Sequence, residues 1–284
     1  MMKVVPYDEQ AYHLDHPMGT VAFNYILGGE ESETQENFRY VLGRQEGDFH
    51  MPRHRHPCEQ IRLPLVGDMN LGEQGILHEG HIGYFPEGVV YGPQDDPLGD
   101  PKQLQLVLQF GGASGLGMGM STRPGGPESP TGTRPPLSEL QMPKPRYDNT
   151  IKFDPAHFNY LPVSGQPGVQ QKFFGSFTER AFWIERIRID AGAQWISTEP
   201  ARRFAVVLAG AGTTEGVAIG YLAAIQAEVG ETLTVAATEE LEIHVIGIPP
   251  VPTPPVPEQY DTIMSRGAIE FEKPREPEPA ATGR

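Results

Sequence analysis

Residues 51–68 read MPRHRHPCEQIRLPLVGD, and residues 79–94 read EGHIGYFPEGVVYGPQ. In the first block His54 and His56 stand two residues apart, so on an extended backbone both imidazoles project from one side and can be offered to a single metal ion. Gln60 and Arg62 share that parity. Glu59 has the opposite one and turns away from the histidines unless Pro57 distorts the strand. The apolar run from Ile61 to Val66 ends at Gly67. In the second block Gly80 opens a short strand, Pro86-x-Gly88 makes a turn, and Tyr91 follows it.

Outward from these blocks, short apolar segments bounded by turn residues recur. They run Val21 to Leu27, Phe38 to Leu42, Ile61 to Val66, Ile82 to Phe85, Leu104 to Phe110, Ala181 to Ile189, Phe204 to Leu208, Val217 to Ile225 and Leu241 to Ile248. With 33 glycines and 29 prolines in 284 residues, helices would be interrupted repeatedly, and the pattern predicts an all-β chain. Each half carries a strand that ends in glycine (Gly67, Gly210), then a later glycine that opens another strand (Gly80, Gly230). The two halves are therefore read as copies of one β-barrel. The expected division is a first barrel over 1–115, a Gly/Pro-rich linker over 116–150, a second barrel over 151–250 and a Pro-rich, charged tail over 251–284.

Composition removes several function classes. A formal charge of −15, with no basic run longer than Arg202-Arg203, leaves no footprint for a phosphate backbone, so nucleic acid is not an expected partner. No apolar run approaches a membrane span. A single cysteine, Cys58, rules out an intrachain disulfide, and the start of the chain has neither a basic nor an apolar leader pattern, so a cytoplasmic protein is expected. Edge strands of small barrels often pair, which makes a homodimer compatible with this reading.

The two blocks together resemble the motifs of the cupin family: glycine, His-x-His, three or four residues, Glu, six residues, Gly; later Gly, five residues, Pro-x-Gly, two residues, His, three residues, Asn. His54 and His56 match the histidine pair, and Gly67, Gly80, Pro86 and Gly88 match in spacing, with Gly47 one residue early for the opening glycine. Gln60 stands at the glutamate position, Tyr91 at the third histidine and Asp95 at the asparagine. The resemblance implies two jelly-roll barrels, a bicupin. The second copy is expected to be degenerate, because Arg203 falls at its glutamate position and Leu241 at its third histidine.

The resemblance also implies a metal-dependent enzyme acting on a small molecule. The expected ligands are His54, His56, Gln60 and Tyr91, around one first-row metal, iron first, with zinc, manganese or nickel compatible. The implied reaction is dioxygenation of an enolisable or aromatic substrate. Tyr91, Arg62 and Glu59 are the candidate catalytic residues: Tyr91 as phenolate ligand or hydrogen-bond donor, Arg62 to hold a substrate carboxylate or enolate, Glu59 as the competing carboxylate. Two rival readings stand beside it. One is a metal-dependent isomerase or cyclase in which Glu87 or His81 moves a proton; the other is a metal-free small-molecule-binding protein. Cys58 is read as a small turn residue with soft ligation as its alternative. His50, His78 and His81 are read as neighbours of the site or solvent-facing, and Trp183, Trp195 and Phe182 as core of the second barrel.

Overall fold

Burial in the strand Glu59–Val66 shows how the molecule is layered. Successive side chains of a strand face opposite sides. Here Ile61 and Leu63 enter an apolar core, while on the other side Arg62 faces a cavity and is hydrogen-bonded to Gln60. A strand with both faces covered lies in the middle of a layered molecule. The computed structural model describes residues 2–14, 16, 19–28, 36–114, 141–250, 260–262 and 270–271. The protein is all-β, with no α-helix among the described residues.

Two large antiparallel sheets dominate. The first runs, edge to edge, Ile151–Phe153, Ile82–Phe85, Glu59–Val66, Leu104–Phe110, Phe38–Gln45 and Val21–Gly28. The second runs Lys3–Val5, Ala224–Ala227, Arg202–Ala209, Leu241–Ile248, Phe182–Ile189, Val169–Phe177 and Leu161–Pro162. One core joins them: Tyr40, Leu42, Ile61 and Tyr84 of the first sheet pack with Phe182, Ile184 and Phe204 of the second. The ring centroids of Phe38 and Phe204 lie 4.6 Å apart, and those of Phe110 and Phe182 lie 5.0 Å apart. Each sheet buries its other face too. Val21, Phe23, Val41 and Val107 cover that face of the first sheet; Trp195, Val207, Ile243 and Val245 lie in the corresponding cluster of the second.

Several sequence expectations are altered here. Lys3–Val5 joins the sheet of the second half, Lys3 opposite Gln226, and Ile151–Phe153 joins the sheet of the first, Ile151 opposite Tyr84. The divisions at 115 and 150 thus separate short edge strands from the sheets they cover, an exchange that occupies otherwise open edges. The run Val217 to Ile225 is two strands, Val217–Ile219 and Ala224–Ala227, interrupted where Leu222 adopts φ +61. Val169–Phe177, with its polar QQK, is a strand that apolar content alone did not reveal. Pro64 sits inside a central strand, and the ladder shifts register beside it, between Leu104 and Gln105, as a residue without an N–H requires. Phe182 fills the core between the sheets rather than that of the second half, and Trp183 is half-buried over Gly247. Of the expected linker, 116–140 lies outside the described residues. So does most of the tail, although Tyr260–Thr262 pairs with Gln141–Pro143 and Glu270–Phe271 with Arg55 and His54. Among the described residues no helix is long and apolar enough to cross a membrane.

Candidate functional site

Backbone hydrogen bonds staple the two sequence blocks together. His54 N–H donates to Tyr91 O at 3.0 Å, Tyr91 N–H returns to His54 O at 2.9 Å, and Gly88 N–H donates to His56 O at 2.9 Å. The turn that delivers Gly88 needs φ +78, which glycine adopts without steric penalty. The ring centroids of His54 and His56 consequently lie 5.0 Å apart, those of His54 and Tyr91 4.4 Å, and those of His56 and Tyr91 6.0 Å. Gln60 reaches the same group, its Nε2 donating to the Tyr91 hydroxyl at 3.3 Å. His54, His56, Gln60, Arg62 and Tyr91 are therefore brought together, and His54, His56 and Arg62 line a cavity walled by Phe23, Val41, Phe49, Met51 and Val107.

Both histidines are neutral. Burial holds His54 down to about 4, against the help of its hydrogen bond to Pro52 O and with Arg62 reinforcing the shift. Burial likewise holds His56 well below the ordinary range, with His54, Arg62 and Arg39 adding to it. His54 Nδ1 lies 2.7 Å from Pro52 O, so Nδ1 carries the proton and Nε2 is the nitrogen with the lone pair, the tautomer of a metal ligand. His56 is 6 % exposed, and neither of its buried ring nitrogens has a hydrogen-bond partner among the described residues. Leaving such groups unmet costs on the order of 1–3 kcal/mol, which an ion or ligand would recover. The imidazole pair fits a first-row metal.

The two expected oxygen ligands do not fit as they stand. Arg62 Nη2 donates to the Tyr91 hydroxyl at 2.9 Å and to Gln60 Oε1 at 3.3 Å, and Gln109 Nε2 donates to the same Oε1 at 2.9 Å. Gln109 in turn accepts from Arg39. That chain of donors fixes the Gln60 amide with its oxygen committed to Gln109 and Arg62, and it puts a guanidinium charge where a cation would need the oxygens. Burial also raises the Tyr91 phenol, against the opposing pull of Arg62, which disfavours a phenolate. Among the described residues no three His, Cys, Asp or Glu side chains converge as a metal site.

Glu59 is corrected as a candidate catalytic residue of this cavity. It is fully buried on the opposite face, where its Oε2 accepts from the Tyr84 hydroxyl and from Glu87 N–H, each at 2.9 Å. Glu87, considered above as a proton carrier, is bound to Ser114 and Arg146, and His81 lies 3.6 Å from Asp154; neither lines the cavity. Cys58 is buried, and burial raises its thiol to about 12, the reverse of what a thiolate ligand needs. His50 and His78 are exposed and paired with Asp95 and Asp68. Arg203 of the second half is buried and donates to Ser197 and to Glu231 O, within a cluster of aliphatic residues and Trp195. Arg39, Gln94, Gln105 and Gln109 line the cavity without having been singled out from the sequence. Their signal was present, since in Leu104–Phe110 the glutamines alternate with leucines that enter the core.

No protein-family model matches the chain, and no curated protein matches its sequence. Solved structures do match. A salicylate 1,2-dioxygenase from Pseudoaminobacter salicylatoxidans, as adducts with gentisate, superposes with a TM-score of 0.57 at 12% identity over 87% of this chain and 81% of its own. The bacterial pirin of Escherichia coli in complex with nickel(II) gives 0.55 at 12% identity, covering 88% and 100%. The quercetin 2,3-dioxygenase of Acinetobacter baumannii gives 0.53 at 12% identity, covering 89% of each. The fold is a cupin fold. The cavity described above combines polar side chains with apolar walls.

Proposed function

We propose that this cupin-fold protein is a metal-dependent oxygenase, a dioxygenase of a small enolisable or aromatic substrate, with His54 and His56 holding iron or, second, zinc, manganese or nickel. The observation that carries this is His56, whose two ring nitrogens are buried and have no partner among the described residues, beside a neutral His54 with its Nδ1 proton already committed. Bound iron would supply Lewis acidity and one-electron chemistry, whereas zinc would supply the Lewis acidity alone. The chain's own residues do the rest: the apolar walls exclude water, and Arg62, held by the Tyr91 hydroxyl and the Gln60 amide, presents its charge to the substrate from the cavity wall. The fold shared with dioxygenases supports the reading without fixing the substrate.

Elemental analysis of untreated protein tests it. About one metal per chain is expected, falling below about a tenth in His54→Ala/His56→Ala while the far-ultraviolet spectrum stays unchanged, because the cores do not depend on these rings. Oxygen uptake with small enols and phenols should fall with the metal. Arg62 favours a second reading, a metal-free binding protein, because its guanidinium already occupies two of the expected ligand oxygens. Protein that is folded and without metal, whatever is added, would establish that reading instead.

A further inference from the structure

We propose that the ligand of this cavity is a small organic monoanion, a carboxylate on an aromatic or apolar body, with its charge taken by Arg62. This rests on the reading of the cavity as the substrate site, though not on the metal. The chain as a whole carries −15, yet among the described residues the charged side chains that line the cavity are Arg39 and Arg62, beside the neutral imidazoles of His16, His54 and His56, and no aspartate or glutamate lines it. An acidic protein that keeps one basic chamber has separated charge against its own average, which raises the local concentration of anions there.

Arg62 makes no ion pair among the described residues. Its guanidinium is fixed by neutral acceptors, the Tyr91 hydroxyl at 2.9 Å and the Gln60 and Gln94 Oε1 atoms at 3.3 Å each, and it lies over the Phe85 ring at 4.8 Å. Its Nε is buried with no hydrogen-bond partner among the described residues. Asp96, which feels this charge, stands behind Gln94, its Oδ2 accepting from Gln94 Nε2 at 2.7 Å and its Oδ1 from Asn70 N–H at 2.8 Å. The fork is thus held rigid by neutral side chains on the wall of the chamber. A planar guanidinium so held recognises a planar carboxylate far better than a neutral amide of the same shape. A neutral imidazole also carries an N–H, and His56 has an unmet one for the same anion. Phe23, Val41, Phe49, Met51 and Val107 offer apolar area to the body that carries the charge.

The test is calorimetric titration of the chelator-treated protein and the protein as purified with benzoate and its neutral isostere benzamide. Benzoate is expected to bind at least about tenfold more tightly than benzamide in both preparations, and Arg62→Gln to abolish that preference. Arg62→Lys should keep part of the preference, since the charge stays and the fork goes. The wild-type comparison needs no variant, so misfolding of an Arg62 variant leaves the test intact. Equal affinity for the two probes, no binding of either, or an undiminished preference in folded Arg62→Gln overturns the proposal. If benzoate is preferred but the protein holds no metal, the oxygenase reading fails and this one stands. If metal and oxygen uptake are present without the preference, the reverse holds.

Discussion

Glu59→Gln is expected to stabilise the protein at pH 8, by on the order of a few kcal/mol, and to remove a fall in stability that the natural chain shows as pH rises from the acid range toward about 8. Burial pushes the Glu59 carboxyl up to about 8, and the charge of Glu87 adds to it; the Glu87 N–H, the Tyr84 hydroxyl and Arg146 oppose the shift. Glu59 Oε1 and Glu87 Oε2 converge above Gly112, where a Cβ on that glycine would lie 3.0 and 2.2 Å from them. Glu87 has the better claim to the charge, because it accepts from Ser114 N–H at 2.8 Å, from the Ser114 hydroxyl at 2.7 Å and from Arg146 at 3.2 Å. Arg180 and Glu179 complete the charged surroundings. Below about 4.5 Glu59 is protonated whether the chain is folded or not, and nothing is lost. Between there and about 8 the unfolded chain has released a proton that the folded chain retains, so stability falls as pH rises, by up to about 1.4 kcal/mol per unit. Above about 8 both states are ionised and the slope ends. In Glu59→Gln the amide oxygen can keep both donors now on Oε2, while its NH₂ stands toward Glu87 in place of an oxygen that has no partner. Denaturant unfolding at pH 5, 6.5 and 8 measures this. Parallel curves for the two proteins across that range would show that Glu59 is ionised throughout.

The position of these groups was partly legible in the sequence, for a definite reason. Gly67, Gly80 and Gly88 all adopt positive φ, at +74, +77 and +78, so the spacing between them measures strand and turn lengths and places His54, His56 and Tyr91 relative to one another. Period-two parity separated Gln60 and Arg62 from Glu59 in the same way. What a count along the chain could not supply is the direction of a guanidinium. Arg62 turns to Gln60 and Tyr91 because Phe85 supports its plane and Gln94 receives its other end, both from segments distant in sequence. Nor could parity show that Gln109, held by Arg39, would take the Gln60 oxygen. The exchanged edge strands stayed hidden because three residues such as Lys3–Val5 are too few to display a period.

Gly88→Ala is expected to destabilise the protein by about 3–4 kcal/mol and to lower metal or ligand occupancy of the cavity, whereas Gly80→Ala should cost only about 1 kcal/mol. By motif the two glycines are equivalent, and both require positive φ, which an alanine adopts only at a penalty. Their surroundings differ. A Cβ on Gly80 would meet nothing within 4 Å, while one on Gly88 would lie 2.1 Å from Pro143 O and 3.1 Å from its carbonyl carbon. A backbone carbonyl cannot rotate aside as a side chain can, so either the strand Gln141–Pro143 or the turn at Gly88 has to move. The turn is the part tied to the site, since Gly88 N–H donates to His56 O at 2.9 Å, and three residues further on Tyr91 is bridged to His54 in both directions. Unfolding midpoints for the two variants, read with elemental analysis or benzoate titration of each, separate a local penalty from a displaced site. Equal losses in Gly80→Ala and Gly88→Ala would mean that Pro143 does not close on this turn; a larger loss confined to Gly88→Ala, with weakened occupancy, ties the packing of residues 141–143 to the geometry of the histidine pair.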